Sequence, residues 1–203
     1  MNAVELFNNW VDLGKDDGME RNHMPSVKYM LKSIPDKIIN SKFSFLDIGC
    51  GNGWVVKRIS NTSACDVAVG IDGAEKMILK AKFNDTHSKY YQLNIDDLSS
   101  YHEHFDIVFS MEVFYYLKNP QNTLNHIFHH LLNKNGCFIM GIDHYQENTP
   151  SLKWPIELEV DMWTHSILEW EKMFKNAGFT NIKVSQVGQK NDWLGTLVIY
   201  GEK

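Results

Sequence analysis

The chain has 203 residues, 43% of them hydrophobic and 22% charged, and a formal charge of −5. That length holds one domain with a sizeable core, and the acidic balance argues against a dedicated nucleic-acid binder, which carries a basic face. Three cysteines without paired spacing predict free thiols in a cytoplasmic setting. The start "MNAVELFNNW" lacks a secretion-signal pattern, and no apolar run approaches the roughly 20 residues that span a bilayer.

Residues 1–42 read as a helical region, with Val27, Met30, Leu31 and Ile34 on one face. Over 43–142, short apolar runs alternate with helical patterns. Strands are predicted at 43–49, 66–72, 89–95, 105–111 and 136–142, and helices at 54–60, 74–83 and 121–132. The last helix shows Leu124, Ile127, Phe128, Leu131 and Leu132 in one stripe, with Asn119 as cap and Pro120 in its first turn. Residues 143–165 form an irregular insertion rich in aromatic, acidic and proline residues. Ser166 and Glu169 then make a capping box for a helix that turns Ile167, Trp170, Phe174 and Ala177 inward and stops at Gly178. Two final strands, 181–187 and 195–201, are joined by "GQKNDWL", too short for a helical crossover, so they pair antiparallel. The alternation implies an α/β domain with a mostly parallel seven-stranded sheet, a C-terminal antiparallel hairpin and helices on both faces.

The segment "FLDIGCGNG" (45–53) ends the first strand in glycines at 49, 51 and 53, at the carboxyl edge where open α/β sheets bind ligands. Glycine there permits positive φ and close approach of backbone N–H groups, and the helix opening at Trp54 favours an anionic group. Asp72 ends the next strand, where a carboxylate accepts hydrogen bonds from both hydroxyls of a ribose. An adenosine-containing cofactor follows. Trp54 stands where a nicotinamide-binding loop has its last glycine, and no lysine followed by Ser or Thr marks a P-loop.

"LDIGCGNGW", "VGID", "NIDDL", "FDIVFSMEVFYYL", "LLNKNGCFIMGI" and "AGF", in this order, resemble the class I S-adenosylmethionine-dependent methyltransferases, in the branch acting mostly on small molecules. The resemblance spans about residues 43 to 200 and implies a Rossmann-like fold with S-adenosylmethionine as cofactor. It also implies that Asp47 opens the cofactor loop, that Gly49, Gly51 and Gly53 lie under the methionine part, and that Asp72, with Gly73 beside it, holds the ribose. Ser110, at the end of the fourth strand, is implied near the methionine amino group. The family's usual acid at the end of the third strand is replaced here by Asn94, followed by Ile95. An asparagine carbonyl accepts from the adenine amino group equally, and Asp96 is the alternative partner. Met77 lines the adenine face or packs in the core.

The remaining candidates read mostly as structure. His126, His129 and His130 fall opposite the apolar stripe and face water, His102 and His104 lie on the surface, and no metal site is expected. Cys50 has no basic partner and reads as a small residue in a tight turn. With the sheet edge committed to cofactor, acceptor-binding residues are sought in the two irregular regions. Trp10, Met19, Glu20, His23 and Tyr29 belong to the N-terminal lid region 1–42. His144, Tyr145, Trp154, Glu157, Glu159, Trp163 and His165 belong to the insertion. His144, Tyr145 and His23 are the candidate catalytic groups, since a hydroxyl acceptor needs a general base. The expected acceptor is a small molecule methylated on N or O, with no nucleic-acid or membrane partner. The Asp/Asn-Pro-Pro-Tyr and Pro-Cys segments of DNA methylases are absent. A silent cofactor-binding subunit and a nicotinamide reductase are the alternatives.

Overall fold

The computed structural model describes all 203 residues. Five strands, β1 (Phe43–Ile48), β2 (Cys65–Asp72), β3 (Lys89–Gln92), β4 (Phe105–Met111) and β5 (Leu132–Ile142), pair in parallel. The chain's last strand, β7 (Thr196–Glu202), inserts antiparallel between β5 and β6 (Thr180–Val187), giving the order β3-β2-β1-β4-β5-β7-β6. Eight helices surround this Rossmann-like sheet: α1 (Ala3–Asp12), α2 (Met19–Lys32), α3 (Asp36–Ile39), α4 (Trp54–Ser60), α5 (Glu75–Asn84), α6 (Pro120–His126), α7 (Trp154–Glu157) and α8 (Ile167–Ala177).

Alternation along the central strands makes two cores, because successive side chains point to opposite faces. Phe45, Phe109, Ile139 and Tyr200 pack with Val27 and Met30 of α2 and Val55 of α4. Leu46, Val108, Phe138 and Ile199 pack with Leu124 of α6 and with Trp170 and Phe174 of α8. The capping box of α8 forms as its sequence requires, and Gly178 closes the helix at φ 105°.

Three details differ from the sequence reading. The helix expected to reach Leu132 widens into a π turn over Ile127–Leu131, and Leu132 already pairs with Phe105 as the first residue of β5. The polar stretch Asn133–Gly136 hides that strand's beginning. β3 stops at Gln92, its last partner being Asp72, so Asn94 and Ile95 leave the sheet. His126 is half-buried, its Nε2 2.9 Å from the Tyr101 carbonyl, whereas His129 and His130 are exposed. No group of His, Cys, Asp or Glu has a metal-holding arrangement, all three cysteines are free, and no helix is long and apolar enough to cross a membrane.

Candidate functional site

The turn after β1 is drawn tight by two backbone bonds. The N–H groups of Gly49 and Cys50 both donate to the Ile71 carbonyl, at 2.8 and 3.0 Å. This bend needs Gly49 at φ 77°, and a Cβ there would lie 2.1 Å from Val113 Cγ2. Asp72 fixes the next segment: its carboxylate accepts the Gly51 N–H at 2.9 Å and the Ala74 N–H at 2.8 Å. Each oxygen keeps a lone pair for a further donor such as a ribose hydroxyl. Burial raises the Asp72 carboxyl above its ordinary range, and the backbone N–H groups oppose that rise. Beneath, Asp47 is 2% exposed. Burial, and then the charge of Asp72, hold its carboxyl well above the ordinary range.

Above the loop lies a cavity of about 400 Å³. Its floor is Gly49, Gly51, Asp72 and Gly73, and one end is closed by Asn94, Ile95, Asp96 and Leu117. Val4, Phe7 and Trp10 of α1 with Met19 and His23 of α2 form a roof. The far wall is made by residues following β4 and β5, namely Glu112, Tyr115, Tyr116 and Asp143, together with Trp154 and Glu157 of α7. The roof is strapped down through the 3₁₀ turn Lys15–Gly18. Asp16, fully buried, lies 2.7 Å from Lys80 Nζ of α5 and receives Asn52 Nδ2 of the glycine loop at 3.0 Å. Asp12 pairs with Lys76.

The glycine cradle fits a nucleoside cofactor. Floor and roof approach closely at two places, where an added side chain would crowd the roof. A Cβ on Gly51 would come within 3.1 Å of Met19 Cε, and one on Gly73 within 2.8 Å of Val4 Cγ2. A carboxylate with spare lone pairs stands beside that cradle. At the closed end, Asn94 Oδ1 accepts the Asp96 N–H at 3.1 Å, and Asp96 Oδ1 accepts the Lys118 N–H at 2.9 Å.

Of the residues singled out from sequence, Gly49, Gly51, Asp72, Gly73, Asn94, Ile95, Asp96 and His23 line the cavity, joined by Trp10, Met19, Trp154 and Glu157. Others do not. His144 is fully buried, with Nδ1 3.0 Å from the Ser151 carbonyl and Nε2 2.8 Å from the Thr164 hydroxyl, so neither ring nitrogen is left for a substrate. Tyr145 donates to the Gly195 carbonyl at 3.0 Å and accepts from Gln186 at 2.8 Å, away from the cavity. Both readings are corrected: His144 ties the insertion to itself, and Tyr145 ties it to β6 and the segment before β7. Ser110 lies within β4, its hydroxyl bound to the Ile48 carbonyl at 2.7 Å. Gly53 caps α4 and leaves room for Tyr90 and Ala81, and Met77 is buried in α5; neither reaches the cavity wall. Tyr29 turns outward to Ser185.

Sequence reasoning missed Glu112 and Asp143, each immediately following a central strand. The available signal was position: the sheet's carboxyl edge offers residues after β4 and β5 as well as after β1 and β2. Glu112 has φ 62°, which no sequence pattern announced.

Comparison with known proteins agrees with this geometry. Residues 8–184 match the family model described as "Methyltransferase domain". A malonyl-[acyl-carrier protein] O-methyltransferase of Bacillus anthracis is 33% identical over 94 residues, 45% of this chain and 35% of that protein. A tRNA U34 carboxymethyltransferase of Haemophilus influenzae is 27% identical over 168 residues, 74% of this chain and 51% of that one. The chain thus spans between about a third and a half of the length of these curated relatives. A putative methyltransferase solved in complex with the Trm112 methyltransferase activator of Haloferax volcanii superposes with a TM-score of 0.83, at 26% identity, over 97% of this chain and 96% of that one. Structures of the same fold hold S-adenosylhomocysteine, the demethylated cofactor. A glycine cradle beside Asp72, a cavity roofed by α1 and α2, and a family model matching most of the length lead to one statement: this chain belongs to the class I S-adenosylmethionine-dependent methyltransferases.

Proposed function

We propose that the cavity transfers a methyl group to a nitrogen or oxygen atom of a small-molecule acceptor. The observation that carries this reading is the acidic composition of the walls. Five carboxyl side chains, Asp72, Asp96, Glu112, Asp143 and Glu157, line the cavity, against Lys15 as its one lysine and no arginine. Polyanionic RNA needs cations at its binding surface, and so does a carboxylate acceptor. A carboxymethyl donor would place its own carboxylate among these acids. The −5 charge of the whole chain points the same way.

The bound cofactor supplies a methyl group on a positively charged sulfur, open to in-line displacement. The protein aligns and dries the site. In this reading Asp72 holds the ribose, Asn94, Ile95 and Asp96 border the adenine, and the roof residues Val4, Phe7 and Met19 exclude water. Alignment of two reactants is worth on the order of 7–11 kcal/mol, so no covalent step on the protein is needed. Burial lowers the His23 imidazole below its ordinary range, which favours its neutral form. The free thiols are in keeping with a cytoplasmic location.

Incubation with S-adenosylmethionine carrying a tritiated methyl group, alongside a metabolite extract, total tRNA and acyl-carrier protein, tests the proposal. Label is expected in the small-molecule fraction. Label in tRNA or in the carrier protein instead overturns it. A second reading concerns a partner, since the Haloferax protein assembles with an activator. We propose that a small activator protein docks beside the unpaired edge of β3, where Leu79 and Phe83 stand one turn apart on α5, 59% and 87% exposed. Co-expression with a Trm112-type activator is expected to give a complex that Phe83→Glu prevents.

A further inference from the structure

Glu112 sits at the middle of the sheet's carboxyl edge, and its geometry is over-determined. Its own N–H donates to the Gly141 carbonyl at 2.9 Å, which fixes the left-handed turn at φ 62°. Its carboxylate is then held from two sides. Oε1 accepts the Asp143 N–H at 2.6 Å, and Oε2 accepts the Tyr115 hydroxyl at 2.7 Å. Non-glycine residues adopt this conformation at an energetic cost and persist in it where surrounding structure enforces it. Asp143, the residue clamping Oε1, is itself an acid, and its Oδ1 is buried without any hydrogen-bond partner. Neither acid belongs to any of the protein's salt bridges. Two acids facing one cavity with no cation paired to either leave this part of the site electrostatically incomplete, and the Tyr115, Tyr116 and Trp154 rings around them suit the body of an organic cation.

We infer that Glu112 and Asp143 form a carboxyl pair that receives the ammonium group of a small arylalkyl amine and takes its proton, so that methylation falls on nitrogen. This rests on the reading of the cavity as a methyl-transfer site. An ammonium has no lone pair and cannot attack. One N–H proton passes to a carboxylate oxygen of the pair, and the freed nitrogen lone pair forms the N–C bond as the C–S bond breaks. Sulfur departs with the bonding electrons as a neutral thioether, and the methylated ammonium carries the positive charge away. Burial, and then Asp143, hold the Glu112 carboxyl well above its ordinary range, and burial raises Asp143 too. A carboxyl so lifted accepts an amine's proton at smaller cost than an exposed one.

The test is calorimetry on protein saturated with S-adenosylhomocysteine, using phenethylamine, 2-phenylethanol and 3-phenylpropionate as cation, neutral compound and anion of similar shape. The amine is expected to bind about tenfold tighter than either of the others. Glu112→Gln and, independently, Asp143→Asn are each expected to remove about that factor while leaving S-adenosylhomocysteine affinity and melting temperature near wild type. Equal binding of the alcohol or the acid overturns the inference. So does unchanged amine affinity in both variants. A parallel loss of S-adenosylhomocysteine affinity in both variants also overturns it, because the pair would then hold the cofactor's own amino group. Failure of wild-type protein to bind S-adenosylhomocysteine is a different result: it removes the methyl-transfer reading itself, and this inference with it.

Discussion

Single carboxylates in this protein do opposite things according to their partners. Asp72 organises the glycine loop through two backbone N–H groups, so Asp72→Ala is expected to cost about 1–3 kcal/mol of stability and to raise the Kd for S-adenosylhomocysteine at least tenfold, read by urea unfolding and calorimetry. Asp47 lies under it with a carboxyl held well above the ordinary range. In the unfolded chain such a group loses its proton near pH 4, at about its reference value. Between that pH and its raised native value the folded state binds more protons. Its contribution to stability is therefore full below about pH 4 and is lost as pH rises through the native value. Asp47→Asn should accordingly gain stability relative to wild type as pH rises above about 4, and a difference independent of pH would refute the assignment. His144, bonded at both ring nitrogens, belongs to the scaffold. His144→Ala is expected to lower the melting temperature, the bonds being worth about 1–3 kcal/mol, and to leave kcat unchanged.

At the scale of elements, strands and caps were legible because their signals are local: apolar runs of strand length, the Ser166–Glu169 box, Gly178 at a helix end. The floor of the cavity was legible for the same reason, since β1, its turn and Asp72 follow within one strand–helix–strand unit. Glu112 and Asp143 were not, because their meeting depends on β4 and β5 lying side by side with Ser110 opposite Met140. His144 misled for the converse reason: it follows β5 at the right edge, but its ring turns away into the insertion. The strap over the cavity was equally hidden, being made by Asp16, Lys80 and Asn52 from three distant segments. Lys80→Ala removes the cation from a fully buried acid. It is expected to open residues 13–18 to limited proteolysis and to weaken S-adenosylhomocysteine binding several-fold. Unchanged cleavage and affinity would show that the roof is held by its apolar contacts alone.

For the whole molecule, one N-terminal segment covers both ends of the cavity. Phe7 of α1 meets Tyr116 on the far wall edge-on, with ring centroids 5.5 Å apart, while Met19 lies over Gly51. Between them the chain bends at Gly14, φ 65°, beside the strap. We expect this shared cover to move for donor and acceptor alike, so that the two bind in sequence and product release limits turnover. Intersecting initial-velocity lines and a kcat that falls in proportion to added sucrose viscosity are the expected signs; a viscosity-independent kcat would place the slow step in the bond exchange itself.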